Sequence, residues 1–207
     1  MPLREIAGPV GRLECLLDEP QIPARAAAVF AHPHTEYGGT MHTKVVYQTA
    51  KALTRIGCAV LRFNFRGAGS SAGSFSNGPG EMDDFHTALD VMHERYPSVP
   101  LWAGGMSFGS YVALSIGVAD PRVTTLVGIA LPVSRYDFDV VAASTKAKFF
   151  IHGERDEICP LKEIQRFYGR AEEPKELVVI DGADHLFDGK VGEVADAIED
   201  LLGDWHA

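Results

Sequence analysis

The sequence predicts an α/β domain built on a mainly parallel sheet that is flanked by helices. Apolar runs of strand length alternate with segments of helical periodicity, which is the pattern of such domains. A G-x-S-x-G pentapeptide also stands between a predicted strand and a predicted helix. With 207 residues, of which 46% are apolar and 23% are charged, the chain is expected to form one domain, residues 1–207, with a sizeable core.

The first half of the chain divides into strands and helices in turn. An early strand, about residues 10–17, is expected at the sheet edge, and the run AAAVFA at 26–31 predicts a second strand. Apolar side chains recur at helical spacing in residues 41–56, where Gly57 can cap the helix end. The run CAVLRFNF at 58–65 predicts a strand. Residues 81–95 predict a helix whose acidic first turn suits the helix dipole.

The second half continues the alternation. Residues 101–103 predict the strand before the pentapeptide, and the apolar residues 111–116 predict the helix after it. Further strands are predicted at 123–131, 147–151 and 177–180, with helices at 161–168 and 191–202, the last carrying an apolar stripe. The longest irregular stretch after the pentapeptide, about 132–146, is too short for a helical cap. The site is therefore expected to be open.

The pentapeptide Gly105-Met106-Ser107-Phe108-Gly109 has the context of a nucleophile elbow. A serine on so sharp a turn has a strained backbone, and glycines on either side remove side chains that would collide. The turn also places the serine hydroxyl at a helix N-terminus, where partial positive charge favours an anion. Ser107 is therefore the candidate nucleophile.

A serine hydroxyl becomes a useful nucleophile when a histidine takes its proton and a carboxylate orients that histidine. Two loops after the elbow follow predicted strands and carry these groups, residues 152–160 (HGERDEICP) and 181–187 (DGADHLF). Asp156 and His185 complete the order nucleophile, acid, base. The residues alone leave other candidates open, namely Glu154, Glu157 and Asp181 for the acid and His152, His32 and His34 for the base.

Over about residues 25–205 the chain resembles serine hydrolases of the α/β-hydrolase superfamily. More narrowly, it resembles small capless bacterial hydrolases that are distant relatives of dienelactone hydrolases. The elbow and the two loops match the three catalytic loops in order, and the segments HPHTEYGGTM (32–41) and RFNFRG (62–67) match the narrower group. The resemblance implies Ser107 as nucleophile, Asp156 as acid and His185 as base. Dienelactone hydrolases carry a cysteine where Ser107 stands, so their substrate is not implied.

The tetrahedral intermediate needs two backbone N–H donors. The N–H of Phe108, the residue after the nucleophile, is expected to be one of them. The second comes from the loop after the strand at 26–31, in which Pro33 has no N–H. The resemblance implies His34 as this donor, with Thr35 as the alternative. The hydroxyl of Tyr37 is a possible additional donor, although a tyrosine packed beside the following glycines is an equal expectation.

Composition and motifs exclude several other functions. The net charge of −9 disfavours nucleic acid as a partner, and neither a signal peptide nor a membrane-spanning run is recognised. The scattered Cys15, Cys58 and Cys159 show no metal-ligand spacing and favour a cytoplasmic location. No metal or cofactor is expected. The glycine-serine loop at 66–80 lacks the lysine of a phosphate loop, and Arg66 and Asp84 are expected to pair beside it.

The predicted activity is hydrolysis of a small-molecule carboxylic ester or thioester through an acyl-enzyme. Two alternatives remain at this point, an amidase or peptidase that uses the same three residues, and a catalytically silent binding protein with the same fold. No sequence feature specifies the acyl group, the alcohol or an oligomeric state.

Overall fold

The structure, a computed structural model, describes residues 3–205, so both ends of the predicted domain (1–2 and 206–207) lie outside the described residues. Its eight strands are β1 (Glu5–Gly8), β2 (Gly11–Asp18), β3 (Ala26–Ala31), β4 (Cys58–Phe63), β5 (Leu101–Met106), β6 (Val123–Ile129), β7 (Ala147–Gly153) and β8 (Lys175–Ile180). They form one sheet in the order β1-β2-β4-β3-β5-β6-β7-β8. Strands β3 to β8 are parallel, whereas β2 pairs antiparallel with both β1 and β4.

Helices cover both faces of the sheet. They are α1 (Lys44–Arg55), α2 (Pro79–Arg95), α3 (Phe108–Ala119), the short α4 (Asp139–Ala142), α5 (Leu161–Arg170) and α6 (Val191–Leu202). Residues of α1 and α6 share one apolar cluster, and residues of α2, α3 and α5 share another. Along β3, Ala27 and Val29 belong to one cluster and Ala28 and Phe30 to the other. Successive side chains of a strand point to opposite faces, so a strand buried on both faces is apolar throughout.

The predicted fold class is confirmed, but the predicted position of the first strand is wrong. The strand expected at the edge corresponds to β2, which lies second in the sheet, and β1 is the edge strand. The register pairs Gly8 with Gly11, so a two-residue turn joins β1 to β2. Strand β1 has four residues, of which only Ile6 is buried. Such a segment has no apolar run that sequence periodicity can detect.

Two helices begin at other residues than predicted because side chains bind the backbone near their ends. The backbone N–H of Met41 donates to Asn64 Oδ1 at 2.8 Å and its carbonyl accepts from Arg62 Nη1 at 2.7 Å. These bonds hold Met41 outside α1, which begins at residue 44 rather than 41. The Glu81 carboxylate accepts the Gly78 N–H at 2.7 Å. It thereby caps α2, which begins at residue 79 rather than 81.

The segment after β6 adds no cap over the sheet edge. Within residues 132–146 the single helix is α4, with four residues. None of the helices within residues 3–205 has both the length and the apolarity that crossing a membrane requires. The carboxyl ends of the parallel strands therefore open onto loops alone, and this is the edge at which α/β proteins bind their ligands.

Candidate active site

Ser107 lies on the predicted sharp turn between β5 and α3. Its backbone has φ 53° and ψ −125°, a left-handed conformation that a residue with a side chain rarely adopts. The first residue of α3 follows directly, so the Ser107 side chain stands at the helix N-terminus. Its N–H donates to Ile129 O at 2.9 Å, which ties the turn to the end of β6.

The two flanking glycines are needed for steric reasons, as the pentapeptide predicted. A Cβ atom on Gly105 would lie 2.4 Å from the Gly109 carbonyl oxygen. A Cβ atom on Gly109 would lie 2.3 Å from the His32 carbonyl oxygen. Both distances are far below van der Waals contact, and both obstacles are backbone atoms. The strand, the helix and the β3 loop therefore approach each other this closely only when both positions lack side chains.

The structure brings together Ser107, His185 and Asp156, which come from three separate loops. His185 Nε2 lies 2.8 Å from Ser107 Oγ, and His185 Nδ1 lies 2.7 Å from Asp156 Oδ2. The other oxygen of Asp156 accepts the N–H groups of Ile158 and Cys159, each at 2.8 Å. Burial alone raises the pKa of Asp156, but the bonds from His185 and the backbone outweigh burial and lower it. The carboxylate is therefore ionised and accepts the proton of His185 Nδ1.

The other candidate acids have different positions. Glu154 accepts the N–H of Gly182 at 2.8 Å and so joins the two loops. Glu157 lies closer to the site, and its Oε2 accepts the backbone N–H of His185 at 3.4 Å. Asp181 is exposed. The structure thus pairs the imidazole of His185 with the carboxylate of Asp156 and with none of these three side chains.

Two of the other candidate bases are fully buried and bonded to backbone groups. His32 Nδ1 donates to Pro33 O at 2.6 Å, and Nε2 accepts the Phe65 N–H at 3.0 Å. Burial lowers the pKa of His32 to about 4, so its imidazole is neutral. His152 Nε2 donates to Cys159 O at 2.8 Å, and burial lowers the pKa of His152 as well. Both imidazoles therefore hold loops in place and are bonded away from Ser107.

The predicted N–H donors lie at the starts of two helical turns. Phe108 is the first residue of α3, and His34 precedes the 3₁₀ turn Thr35–Tyr37. Within residues 3–205, the N–H groups of Phe108, His34 and Thr35 donate to no protein acceptor. The rings of His34 and Phe108 pack together with centroids 5.2 Å apart. The choice between His34 and Thr35 stays a prediction. Tyr37 is 82% exposed, and the centroid of its ring lies 4.6 Å from that of the His34 ring.

The sequence between residues 23 and 148 matches the family described as serine aminopeptidase, S33. This match covers more than half of the chain, and it includes the elbow and the β3 loop. The chain belongs to this family of α/β hydrolases. An uncharacterized protein of Rickettsia prowazekii, RP471, is 35% identical over 98% of this chain and 89% of the relative.

Solved structures of similar sequence have the same architecture. An α/β serine hydrolase homologue from Coxiella burnetii is 33% identical, with a TM-score of 0.91 over 96% of this chain and 95% of the other. XC6422 from Xanthomonas campestris, described as an α/β serine hydrolase without a lid, is 34% identical, with a TM-score of 0.88 over 97% and 94% of the two chains. The chain is thus a serine hydrolase homologue of the lidless type.

The hydrolase has a cavity of about 630 Å³ at Ser107 and His185. Its volume falls in the range of small-molecule sites. Sequence reasoning identified part of its wall and missed another part, which consists of Asn77, Pro132, Arg135, Tyr136, Ile158 and Leu186. These side chains come from loops whose spatial neighbours no motif specifies. Among the described residues, no group of three or more His, Cys, Asp or Glu side chains is arranged to hold a metal ion.

The glycine-serine loop of this hydrolase packs against residues that line the cavity. The predicted pair forms, because Arg66 Nη2 lies 2.7 Å from Asp84 Oδ1 and Asp84 Oδ2 also accepts the Arg66 N–H at 2.9 Å. Further along the loop, the Phe75 ring lies 4.4 Å from His34 and 5.5 Å from Phe108, measured between centroids. The loop thus packs an aromatic ring against both residues that carry the predicted N–H donors.

Proposed function

We propose that the protein hydrolyses a carboxylic ester or thioester through an acyl-enzyme formed on Ser107. The observation that carries this proposal is the continuous hydrogen-bonded series from Ser107 Oγ to His185 and on to Asp156, with distances of 2.8 and 2.7 Å. Because the ionised Asp156 accepts the proton of Nδ1, the free Nε2 lone pair of His185 faces the serine hydroxyl. That is the tautomer that general-base catalysis requires.

The reaction proceeds in two halves. Ser107 Oγ attacks the substrate carbonyl carbon while His185 Nε2 takes the hydroxyl proton. The tetrahedral oxyanion accepts hydrogen bonds from the N–H of Phe108 and, as we propose, of His34. His185 then returns the proton to the departing alcohol or thiol, which leaves the acyl group on Ser107. In the second half His185 activates water, which attacks the acyl carbon and restores the serine hydroxyl.

Turnover of 4-nitrophenyl acetate and butyrate by the wild type and by Ser107→Ala tests the proposal. We expect the variant to lose activity by several orders of magnitude, because Ser107 is the one hydroxyl among residues 3–205 that is bonded to the His185 ring. Ser115→Ala is the matched control, since it removes a half-buried hydroxyl from the same helix α3 away from the cavity. Equal turnover by the wild type and Ser107→Ala contradicts the proposal.

Hydrolysis of an amide or peptide on the same residues is the second candidate function. The family description as serine aminopeptidase favours it, and Glu157 supplies a carboxylate in the cavity wall that suits a substrate ammonium group. A 4-nitrophenyl ester and a 4-nitroanilide with the same acyl group separate the two functions. Faster turnover of the anilide, or of substrates with a free α-amino group, favours the peptidase.

A catalytically silent binding protein is the third possibility, and the complete hydrogen-bonded series disfavours it. We also infer a reducing compartment such as the cytoplasm. The three cysteines are buried free thiols, which supports this inference.

A further inference from the structure

Arg135 lies in the wall of the cavity that contains Ser107 and His185, and within the described part of the chain its guanidinium has no carboxylate partner. Among the described residues, no carboxylate oxygen lies within 4.0 Å of it. Many arginines elsewhere in the chain are paired with acids, namely Arg12, Arg55, Arg62, Arg66, Arg95, Arg122, Arg166 and Arg170. Arg4, Arg25 and Arg155 also lack such a partner among the described residues, but of these four arginines Arg135 alone lines the cavity that contains the nucleophile.

Backbone hydrogen bonds and ring stacking order the turn that carries Arg135, and the Arg135 side chain is exposed at the cavity wall. The N–H groups of Arg135 and Tyr136 both donate to Pro132 O, at 2.9 and 3.1 Å. The Tyr136 ring stacks on Tyr111 of α3 with centroids 4.6 Å apart and an interplanar angle of 21°. A guanidinium on an ordered turn loses less conformational entropy when it binds a ligand than one on a mobile loop.

Arg135 is the single lysine or arginine in the part of this wall that the described residues form. The acidic side chain of the wall, Glu157, lies on another loop, where it accepts the His185 N–H at 3.4 Å. The wall therefore has one permanently positive group and one acidic group at different places. The remaining surface is largely aromatic and aliphatic, with Phe108 and Ile158 among its members.

We infer that the preferred substrates are esters that carry a carboxylate, which Arg135 binds while the aromatic wall holds the carbon skeleton. This inference rests on the proposed function. The planar guanidinium presents paired N–H donors that match the two oxygens of a carboxylate. A carboxylate suits the site better than a phosphate monoester, because one arginine neutralises one negative charge and a second charge would remain against Glu157 and a net charge of −9.

Two matched pairs of esters test the inference. In the first pair the charge is on the acyl group, in mono-4-nitrophenyl adipate and its neutral methyl ester. In the second it is on the leaving group, in 4-acetoxybenzoate and its neutral methyl ester. The quantity measured is the ratio of kcat/KM for the charged ester to kcat/KM for the neutral one, in wild type, Arg135→Gln, Arg135→Lys and Arg166→Gln. Because each ratio compares two esters in one variant, a general loss of activity cancels.

We expect the wild-type ratio to exceed one for at least one pair. In Arg135→Gln that ratio falls by about tenfold to a hundredfold, the usual range for a hydrogen-bonded charge. Arg135→Lys keeps part of the wild-type ratio, because lysine retains the positive charge but lacks the paired N–H donors of the guanidinium. Arg166→Gln removes the same charge from an exposed position outside the cavity and keeps the wild-type ratio.

Three results would overturn the inference. They are a ratio below one for both pairs in the wild type, an unchanged ratio in Arg135→Gln, and an equal fall in Arg166→Gln. In each case turnover of the neutral esters still supports the proposed function. If folded wild-type protein hydrolyses none of the four esters, the proposed function fails and the inference fails with it.

Discussion

The buried imidazole of His32 predicts that the protein loses stability below neutral pH. Burial lowers the pKa of His32 from its ordinary 6.5 to about 4, and the opposing effects of the bond to Pro33 O and of the Glu81 charge are smaller. In the unfolded chain His32 binds a proton below pH 6.5, whereas in the folded protein it does so only below about pH 4. The unfolded state therefore binds more protons between these values, and stability falls as the pH falls through this window.

The size of the effect follows from the two pKa values. Each unit of difference corresponds to about 1.4 kcal/mol, so His32 alone accounts for about 3 kcal/mol over the whole window. Between pH 7 and pH 5 the loss is about 2 kcal/mol. This is a large part of the stability of an ordinary domain. His32 fixes the loop that leads to His34. We therefore expect the active site to lose stability together with the fold when the pH falls.

Urea unfolding at pH 7 and pH 5 measures this loss. We compare the wild type with His32→Gln, whose amide oxygen can accept the Phe65 N–H but does not titrate. The variant is expected to be less stable at pH 7 and to lose about 2 kcal/mol less than the wild type on going to pH 5. His42→Gln, which removes an exposed imidazole, is the control. The reasoning is refuted if His32→Gln and the wild type lose the same free energy of unfolding.

Two further predictions concern the site and the elbow. Asp156→Asn keeps the fold but lowers ester kcat by about four orders of magnitude, measured with 4-nitrophenyl butyrate. An equal loss in Asp181→Asn with none in Asp156→Asn would show that Asp181, and not Asp156, is the carboxylate that orients His185. Gly109→Ala places a Cβ 2.3 Å from a backbone oxygen and should lower the free energy of unfolding by several kcal/mol or prevent folding. The control Gly192→Ala on α6 meets no atom within 4 Å and is tolerated. Equal melting temperatures for the two variants would refute the packing argument.

The elbow and its two partner loops could be predicted because each depends on short-range rules. A strand, a serine between glycines and a helix define the turn, and in a parallel sheet the loops after successive strands meet at one edge. Ser107, Asp156 and His185 are separated by 49 and 29 positions in the numbering, yet each follows a strand end. The sheet topology therefore places these three residues side by side although they are far apart in the sequence.

Errors arose where distant side chains determine local structure. Helix α1 begins later than its periodicity indicates because Asn64 and Arg62, more than twenty residues away, bind the backbone of Met41. Strand β1 escaped detection because a four-residue edge strand with one buried side chain has too little pattern. Neither effect is encoded in a window of neighbouring residues.

The cavity wall lay beyond sequence reasoning for a related reason. Arg135 and Tyr136 belong to an irregular loop, and their place in the wall depends on a turn closed at Pro132 and on stacking against Tyr111, 25 positions earlier. Loop side chains acquire their neighbours from tertiary packing, which periodicity does not describe. The placement of Ser107, Asp156 and His185 at one edge of the sheet was therefore predictable here, whereas the groups proposed to select the substrate were found only in the structure.

Labelling with a fluorophosphonate tests most directly whether His185 activates the Ser107 hydroxyl. The account predicts that folded wild-type protein forms a single covalent adduct and that mass spectrometry finds it on the peptide containing Ser107. Ser107→Ala should remain unlabelled, and His185→Ala should react far more slowly at the same serine. Contradiction would come from a folded wild type that resists the reagent, or from an adduct that forms equally well in Ser107→Ala.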